Sequence, residues 1–247
     1  MFASEADHDT SAAQLANGAA ALDNIDLVIF DCDGVLIDSE PIASRTLAET
    51  LQRAGVAITP AEAHVKFTGN SETVIRQMCA RDYGLTDVAV VFEAWHQHLF
   101  DEFARSLRAM PGIADVVTRL DRPKCVASNS TMHRLRESLG KLDLWQCFHP
   151  AVFSAETVAR PKPAPDLLLH CAEKFSARPH RCVMIDDSPH GVQAAISAGM
   201  IAVGFVDPTD PRPDRKGLLA ASGAFAVATG ASELTAILDA ADRLLVT

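Results

Sequence analysis

The run Leu27-Val28-Ile29-Phe30 constrains this chain more than any other stretch. Four consecutive apolar residues with a β-branched centre read as a strand covered on both faces, which places it inside a parallel sheet. The strand then breaks into Asp31-Cys32-Asp33-Gly34. In open α/β sheets ligands bind just beyond the carboxyl ends of strands. Two carboxylates spaced i, i+2 at that point repel by roughly 4 kcal/mol when about 4 Å apart at an effective dielectric near 20. The pair therefore calls for a cation between its members, and oxygen-only ligation favours a hard ion such as Mg²⁺. Gly34 lets the chain turn away afterwards. The competing reading is an ordinary acidic turn.

The rest of the chain decides between the two. Residues 125–127 form a second short apolar run, ending in Ser128-Asn129-Ser130; residues 182–185 form a third, ending in Asp186-Asp187. Weaker strands are expected at 151–153, 201–206 and 225–227, with a Pro- and Asp-rich loop reaching to residue 216. Helices are expected at 113–120, 132–139, 166–175 and 190–199. This alternation predicts an α/β fold, a doubly wound, Rossmann-like parallel sheet. Between residues 39 and 109 no strand signal occurs. Helical patterns there are punctuated by Gly55, Thr59-Pro60, Thr68-Gly69-Asn70-Ser71 and Tyr83-Gly84. An all-helical cap of residues 39–109, inserted into a core of residues 23–38 and 110–247, follows, with residues 1–22 as a flexible lead-in.

Size and charge are consistent with that plan. The chain has 247 residues, long for one domain and short for two. Its 48% hydrophobic and 22% charged content is that of a globular enzyme. A formal net charge of −10 argues against a nucleic-acid partner, itself a polyanion. The six cysteines are dispersed, without Cys-x-x-Cys, and read as reduced thiols rather than a disulfide framework or zinc site. No run approaches the ~18 apolar residues of a membrane span. A cytoplasmic protein with no membrane partner is expected, with a monomer as the default.

Three strand ends with polar groups share one sheet edge, and between the second and third lies Arg160-Pro161-Lys162-Pro163-Ala164-Pro165. The prolines stiffen this loop and fix the height of Lys162. In order and spacing, Asp31-x-Asp33-Gly34, Ser128-Asn129, Lys162-Pro163 and Asp186-Asp187-Ser188 resemble the four motifs of the haloacid dehalogenase-like superfamily. The subgroup with a helical cap after the first strand, which includes β-phosphoglucomutases and sugar-phosphate phosphatases, is the most similar. The resemblance implies Asp31 as the nucleophile and Asp33 as the general acid/base. It implies Ser128, Asn129 and Lys162 around the phosphate, and Asp31, Asp33 (through its carbonyl), Asp186 and Asp187 around Mg²⁺. Asp186 also reads as a group that orients Asp187 from behind. In the cap, Lys66-x-x-Gly69-Asn70-Ser71 resembles the loop that brings specificity groups to the substrate; a solvated helix end is an equally good reading. His96 and His98, at i and i+2, point to different helix faces and form no metal pair.

The expected activity is Mg²⁺-dependent hydrolysis of a small phosphorylated metabolite through an aspartyl phosphate. A phosphomutase is the runner-up. In β-phosphoglucomutases a histidine occupies the cap hinge, and the corresponding place here is Ala43. Asp33 counts against dehalogenase chemistry. A phosphate-sensing protein on the same fold remains as a non-catalytic alternative, though it would need neither the cap nor Asp33.

Overall fold

The computed structural model describes residues 25–68 and 70–243. The lead-in of residues 1–22 and the candidate substrate residue Gly69 lie outside them. Six parallel strands form one sheet in the order β3-β2-β1-β4-β5-β6. They are β1 (Leu27–Phe30), β2 (Lys124–Ser128), β3 (Val152–Ser154), β4 (Cys182–Asp186), β5 (Ile201–Val206) and β6 (Ala226–Thr229). The apolar run that opens the sequence is thus a central strand, hydrogen-bonded to β2 on one side and β4 on the other. All four of its residues are buried.

Side chains alternate between the two faces. Val28, Phe30, Val126, Ile185 and Val203 belong to one apolar cluster; Leu27, Ile29, Cys125, Ala127 and Met184 belong to the other. The second face is covered by α7 (Asp166–Lys174), α8 (Pro189–Ser197) and α9 (Arg215–Ala221), through Leu167, Leu168, Val192, Ala195 and Leu219. The first face is covered by α5 (Ile113–Arg119) and α10 (Gly230–Arg243), which pack on each other. The short α6 (Met132–Glu137) follows β2. Helices on both faces make the sheet doubly wound.

Four helices fill the interval between β1 and α5: α1 (Glu40–Arg53), α2 (Pro60–Phe67), α3 (Glu72–Tyr83) and α4 (Val88–Ser106). Their boundaries follow from local chemistry. Thr59 and Glu62 form a capping box on α2, and the Ser71 hydroxyl caps α3. Gly84 ends α3 in the left-handed conformation that costs glycine little. Helix α1 packs against α2 and α4. Buried Trp95 of α4 donates from Nε1 to Thr46 Oγ1 at 3.0 Å and stacks edge-on against Phe92. The two connections to the sheet run side by side: Asp38 N donates to Arg108 O and Met110 N to Leu36 O, both at 3.0 Å.

The C-terminal third departs from expectation. The loop after β5 ends at Asp214, and α9 begins at Arg215 where loop had been expected. The weak strand at 225–227 is β6, shifted to Ala226–Thr229, and α10 follows it. Helix α9 has one fully buried side chain, Leu219, so it carries almost no periodic signal. Among the six cysteines, Cys147 is exposed and the other five are buried and free. No described helix is long and apolar enough to cross a membrane.

Candidate active site

Register brings the polar strand ends together. Phe30 pairs with Val126 on one side and Ile185 on the other, so the residues that follow emerge at one edge. Asp31 continues the ladder, its N–H donating to Ile185 O at 2.9 Å. Lys162 rises between the strands. Its Nζ donates to Asp31 Oδ1 and Asp186 Oδ2 at 2.7 Å each, and to Ala127 O at 3.1 Å. The lysine is only 6% exposed. Burial opposes its charge, but the Asp186 and Asp31 carboxylates more than offset that and hold the ammonium above its usual range.

Asn129 fixes the lysine from outside. Its amide donates to Lys162 O and accepts from Lys162 N, both at 2.9 Å. The side chain expected at a phosphate is thus engaged with the lysine loop. Ser128 is buried, its Oγ accepting from Ser130 N at 3.1 Å.

Carboxylate oxygens of Asp31, Asp186 and Asp187 lie within 4.8 Å of one another. Burial pushes the Asp31 carboxyl up to about 7, against the pull of Lys162 and with added push from Asp186. Burial, then Glu40, Asp186 and Asp31, raise Asp187 well above the carboxylate range. Three carboxylate oxygens crowded in this way form a donor set suited to a hard divalent cation. Asp186 is the most constrained of the three: Oδ1 accepts from Ser188 N and Oγ, and Oδ2 from Lys162. Gly191 leaves room for it, since a Cβ there would lie 1.7 Å from Asp186 Oδ2. Gly34, at φ +77°, does the same for Asp187, whose Oδ2 would stand 2.8 Å from an added Cβ.

Asp33 faces away from this cluster. Its Oδ1 accepts from Ser39 Oγ at 2.6 Å and Arg134 Nη2 at 3.0 Å, and its Oδ2 from Ser130 Oγ at 2.8 Å. Burial favours its neutral form, yet Arg134 and the two hydroxyls hold the carboxyl below the usual range. The two carboxylates thus meet different side-chain cations, Lys162 for Asp31 and Arg134 for Asp33. The sequence reading missed Arg134, Ser39 and Ser130. The two serines flank named motifs; Arg134 stands six residues after Ser128 with no local signal.

Also missed was an ionic network in the β5–α9 loop. Arg212 chelates Asp210, with Nη2 to Oδ2 at 2.6 Å, and reaches Glu40 Oε2 at 2.9 Å. Arg215 donates from Nη2 to Asp187 O at 2.5 Å and stands 3.4 Å from Asp210. His64 of α2 faces Asp210 at 3.9 Å. These groups border a cleft that reaches Gly34 and Asp187. Lys66 is paired with Asp82 at 2.9 Å and lies 4.4 Å from the Tyr83 ring centre. The Asn70 amide donates to Phe67 O at 3.3 Å. His96 and His98 bind different carboxylates, Glu72 and Glu49.

Over residues 25–199 the sequence matches the haloacid dehalogenase-like hydrolase family. The chain belongs to that family. Among characterised relatives, 6-phosphogluconate phosphatase of Escherichia coli is 33% identical over 72% of this chain and 81% of its own length. The fructose-1-phosphate phosphatase of the same organism is 32% identical over 71% of this chain and 94% of its own. Among solved structures, a haloacid dehalogenase-like protein of unknown function from Agrobacterium tumefaciens superimposes with a TM-score of 0.78 at 33% identity. That match covers 89% of this chain and all of the other. The family match ends before Asp210, Arg212 and Arg215, so the network they form lies beyond it.

Proposed function

We propose that this hydrolase is a Mg²⁺-dependent phosphatase that cleaves a small phosphorylated metabolite, a sugar phosphate or similar, through an aspartyl phosphate on Asp31. In this reading residues 39–109 act as the cap over a core of residues 23–38 and 110–247. The chain is a phosphoric monoester hydrolase, as its relatives are. The observation that carries the finer reading is the triangle of buried Asp31 and Asp186 with half-buried Asp187, Lys162 lodged against two of its corners.

A phosphate monoester carries about −1.5 to −2 charges near pH 7, so a bare carboxylate would be repelled by it. Asp31 and Asp187, with Asp186 and the Asp33 carbonyl, would hold Mg²⁺, which offsets that repulsion and polarises the phosphoryl oxygens. Lys162 draws Asp31 into line and presents a charge to the phosphoryl group. Ser128 and Asn129 stand at the neighbouring strand end, where a transferring phosphoryl needs donors. Attack by an Asp31 oxygen forms the aspartyl phosphate and expels the leaving oxygen, which takes a proton from Asp33. Water then attacks the phosphorus while Asp33 recovers a proton from it, a contribution of typically ~10²–10⁴-fold. The hydroxyls of Ser39 and Ser130 aim both Asp33 oxygens. Ala43, on the cap side of the junction, offers no group to pass a proton to a second sugar hydroxyl, which favours water as acceptor.

The test is release of inorganic phosphate from an aryl phosphate with Mg²⁺, with EDTA, and after Mg²⁺ is restored. Turnover should follow the metal, and acid-quenched enzyme should retain phosphate. Absence of turnover, or turnover indifferent to EDTA, overturns the reading.

A further inference from the structure

Arg134 is more than the chemistry of phosphoryl transfer requires. It stands on α6 with its side chain 22% exposed, and its guanidinium carbon lies 5.6 Å from the centre of the Phe103 ring in the last turn of α4. Lys162 already supplies the ammonium at the phosphoryl end. The positioning of Asp33 is met without the arginine, because Ser39 and Ser130 between them reach both carboxylate oxygens.

The fork itself is half used. In arginine, Nε–H and one Nη2–H lie along one edge, the edge that a carboxylate takes with both oxygens. Here Nη2 holds Asp33 at 3.0 Å, while Nε is shut from solvent with no hydrogen-bond partner. A buried donor without an acceptor is costly unless something later fills it. The other cations around the site are committed: Lys162 to Asp31 and Asp186, Arg212 to Asp210 and Glu40, Arg215 to Asp187 and Asp210.

We propose that Arg134 receives a carboxylate on the leaving-group portion of the substrate, so that the enzyme selects phosphate esters of sugar acids over those of neutral sugars. The inference rests on the phosphatase reading. In the free protein the Asp33 carboxylate occupies part of the place meant for the ligand. A substrate carboxylate would take both Nε and Nη2, leaving Asp33 with its two serines at the scissile oxygen. Arg134 is thereby a specificity-determining residue, and the bidentate geometry is what distinguishes an acid from a hydroxyl at the same carbon.

The experiment compares d-gluconate 6-phosphate with d-glucitol 6-phosphate, which differ only in carboxylate against hydroxymethyl at carbon 1. With Mg²⁺ saturating, wild-type kcat/KM should favour the acid by roughly 10- to 10²-fold, the range of a charge-assisted pair. Arg134→Gln should lower the acid's value far more than the alditol's and remove most of that preference. Arg134→Lys, which keeps the charge without the fork, should fall between. Free d-gluconate, titrated calorimetrically into wild-type protein, should bind where d-glucitol does not; this arm needs no variant to fold. Equal turnover of the two esters by the wild type, or equal losses on both in Arg134→Gln, overturns the assignment. If neither these esters nor an aryl phosphate is hydrolysed in Mg²⁺ the phosphatase reading fails, and gluconate binding still decides Arg134.

Discussion

Lys162 meets Asp31 and Asp186 at 2.7 Å each inside the edge of the sheet, whereas Arg212 meets Asp210 and Glu40 at 2.6 and 2.9 Å across a loop and a helix start. Both are cations with two carboxylate partners, Lys162 buried and Arg212 half-buried, but they are assembled differently. The first set hangs from three hydrogen-bonded strands whose register leaves each side chain one place to go. The second is held by a Pro- and Asp-rich loop with no strand pairing to set its register. The difference separates two jobs. The strand-end set concentrates charge where a phosphoryl group would sit; the loop set ties the start of α1 and, through Arg215, the Asp187 carbonyl to the β5–α9 connection. If that division holds, damage to the first set destroys chemistry, and damage to the second loosens it.

The largest effect is expected from Asp31→Asn. The amide is close in size, so folding should persist, but the proposed nucleophile is gone, and phosphate release from an aryl ester should fall about 10⁴- to 10⁶-fold. A variant within tenfold of wild type would remove Asp31 from the mechanism. Lys162→Met should follow. It strands Asp31 and Asp186 as buried carboxylates without their counter-ion, a loss of about 3–5 kcal/mol in urea unfolding. Added Mg²⁺ should restore part of that stability but not the turnover. Unchanged urea stability in the metal-free variant would show that the lysine is not the counter-ion that its contacts indicate.

What the sequence could reveal follows the same divide. Strand β1 was legible because a run of four apolar residues has few other uses, and with β2 and β4 beside it the meeting of Asp31, Ser128 and Asp186 follows from parallel topology. The helices between β1 and α5 were legible from their stops: Thr59, Ser71 and Gly84 all act where turn chemistry placed them. Arg134, Arg212 and Arg215 were not legible, because arginine on a helix or loop is ordinarily a solvated residue and nothing local marks its partner as distant. Asp33 and Arg134 are 101 positions apart. Helix α9 escaped for a different reason, having too few buried positions to set a period. Helix α10 was readable in principle, since Leu234, Ile237 and Leu238 recur at helical spacing and face the core. The side chains of Asp31 and Asp33 diverge, because residues at i and i+2 in an irregular turn need not face one site.

Titration sharpens the comparison from the metal's side. Burial holds the Asp31 carboxyl at about 7 and raises Asp187 well above its ordinary value. An unfolded carboxylic acid ionises near pH 4. Between those values the metal-free folded state keeps protons that the unfolded state has lost, so stability is fully present below about pH 4 as far as these groups are concerned. It is lost as pH rises through about 7, by an amount on the order of a few kcal/mol. Mg²⁺ needs the ionised carboxylates and should reverse the loss. Thermal melts in EDTA should therefore be lower at pH 8 than at pH 5.5, and the gain on adding Mg²⁺ should be larger at pH 8. Equal gains at both pH values would mean that Asp31 and Asp187 lose no protons on binding the ion.

The smallest effect, and the most direct test of the division, is Arg212→Met. Methionine keeps much of the apolar stem while removing the guanidinium between Asp210 and Glu40. Burial already pushes the Glu40 carboxyl up to about 7 against the pull of Arg212, so losing that pull leaves Glu40 protonated rather than unfolding the region. Arg215 still stands 3.4 Å from Asp210 and limits the damage there. The cost should thus stay near 1–3 kcal/mol, the range for a broken charged hydrogen bond. Turnover should fall only a few-fold, with Mg²⁺ affinity, read by calorimetry, changed less than by Lys162→Met. A drop in kcat comparable to that of Lys162→Met would erase the distinction between the two networks. It would make the β5–α9 loop part of the catalytic centre, reached through Arg215 and the Asp187 carbonyl rather than through the sheet.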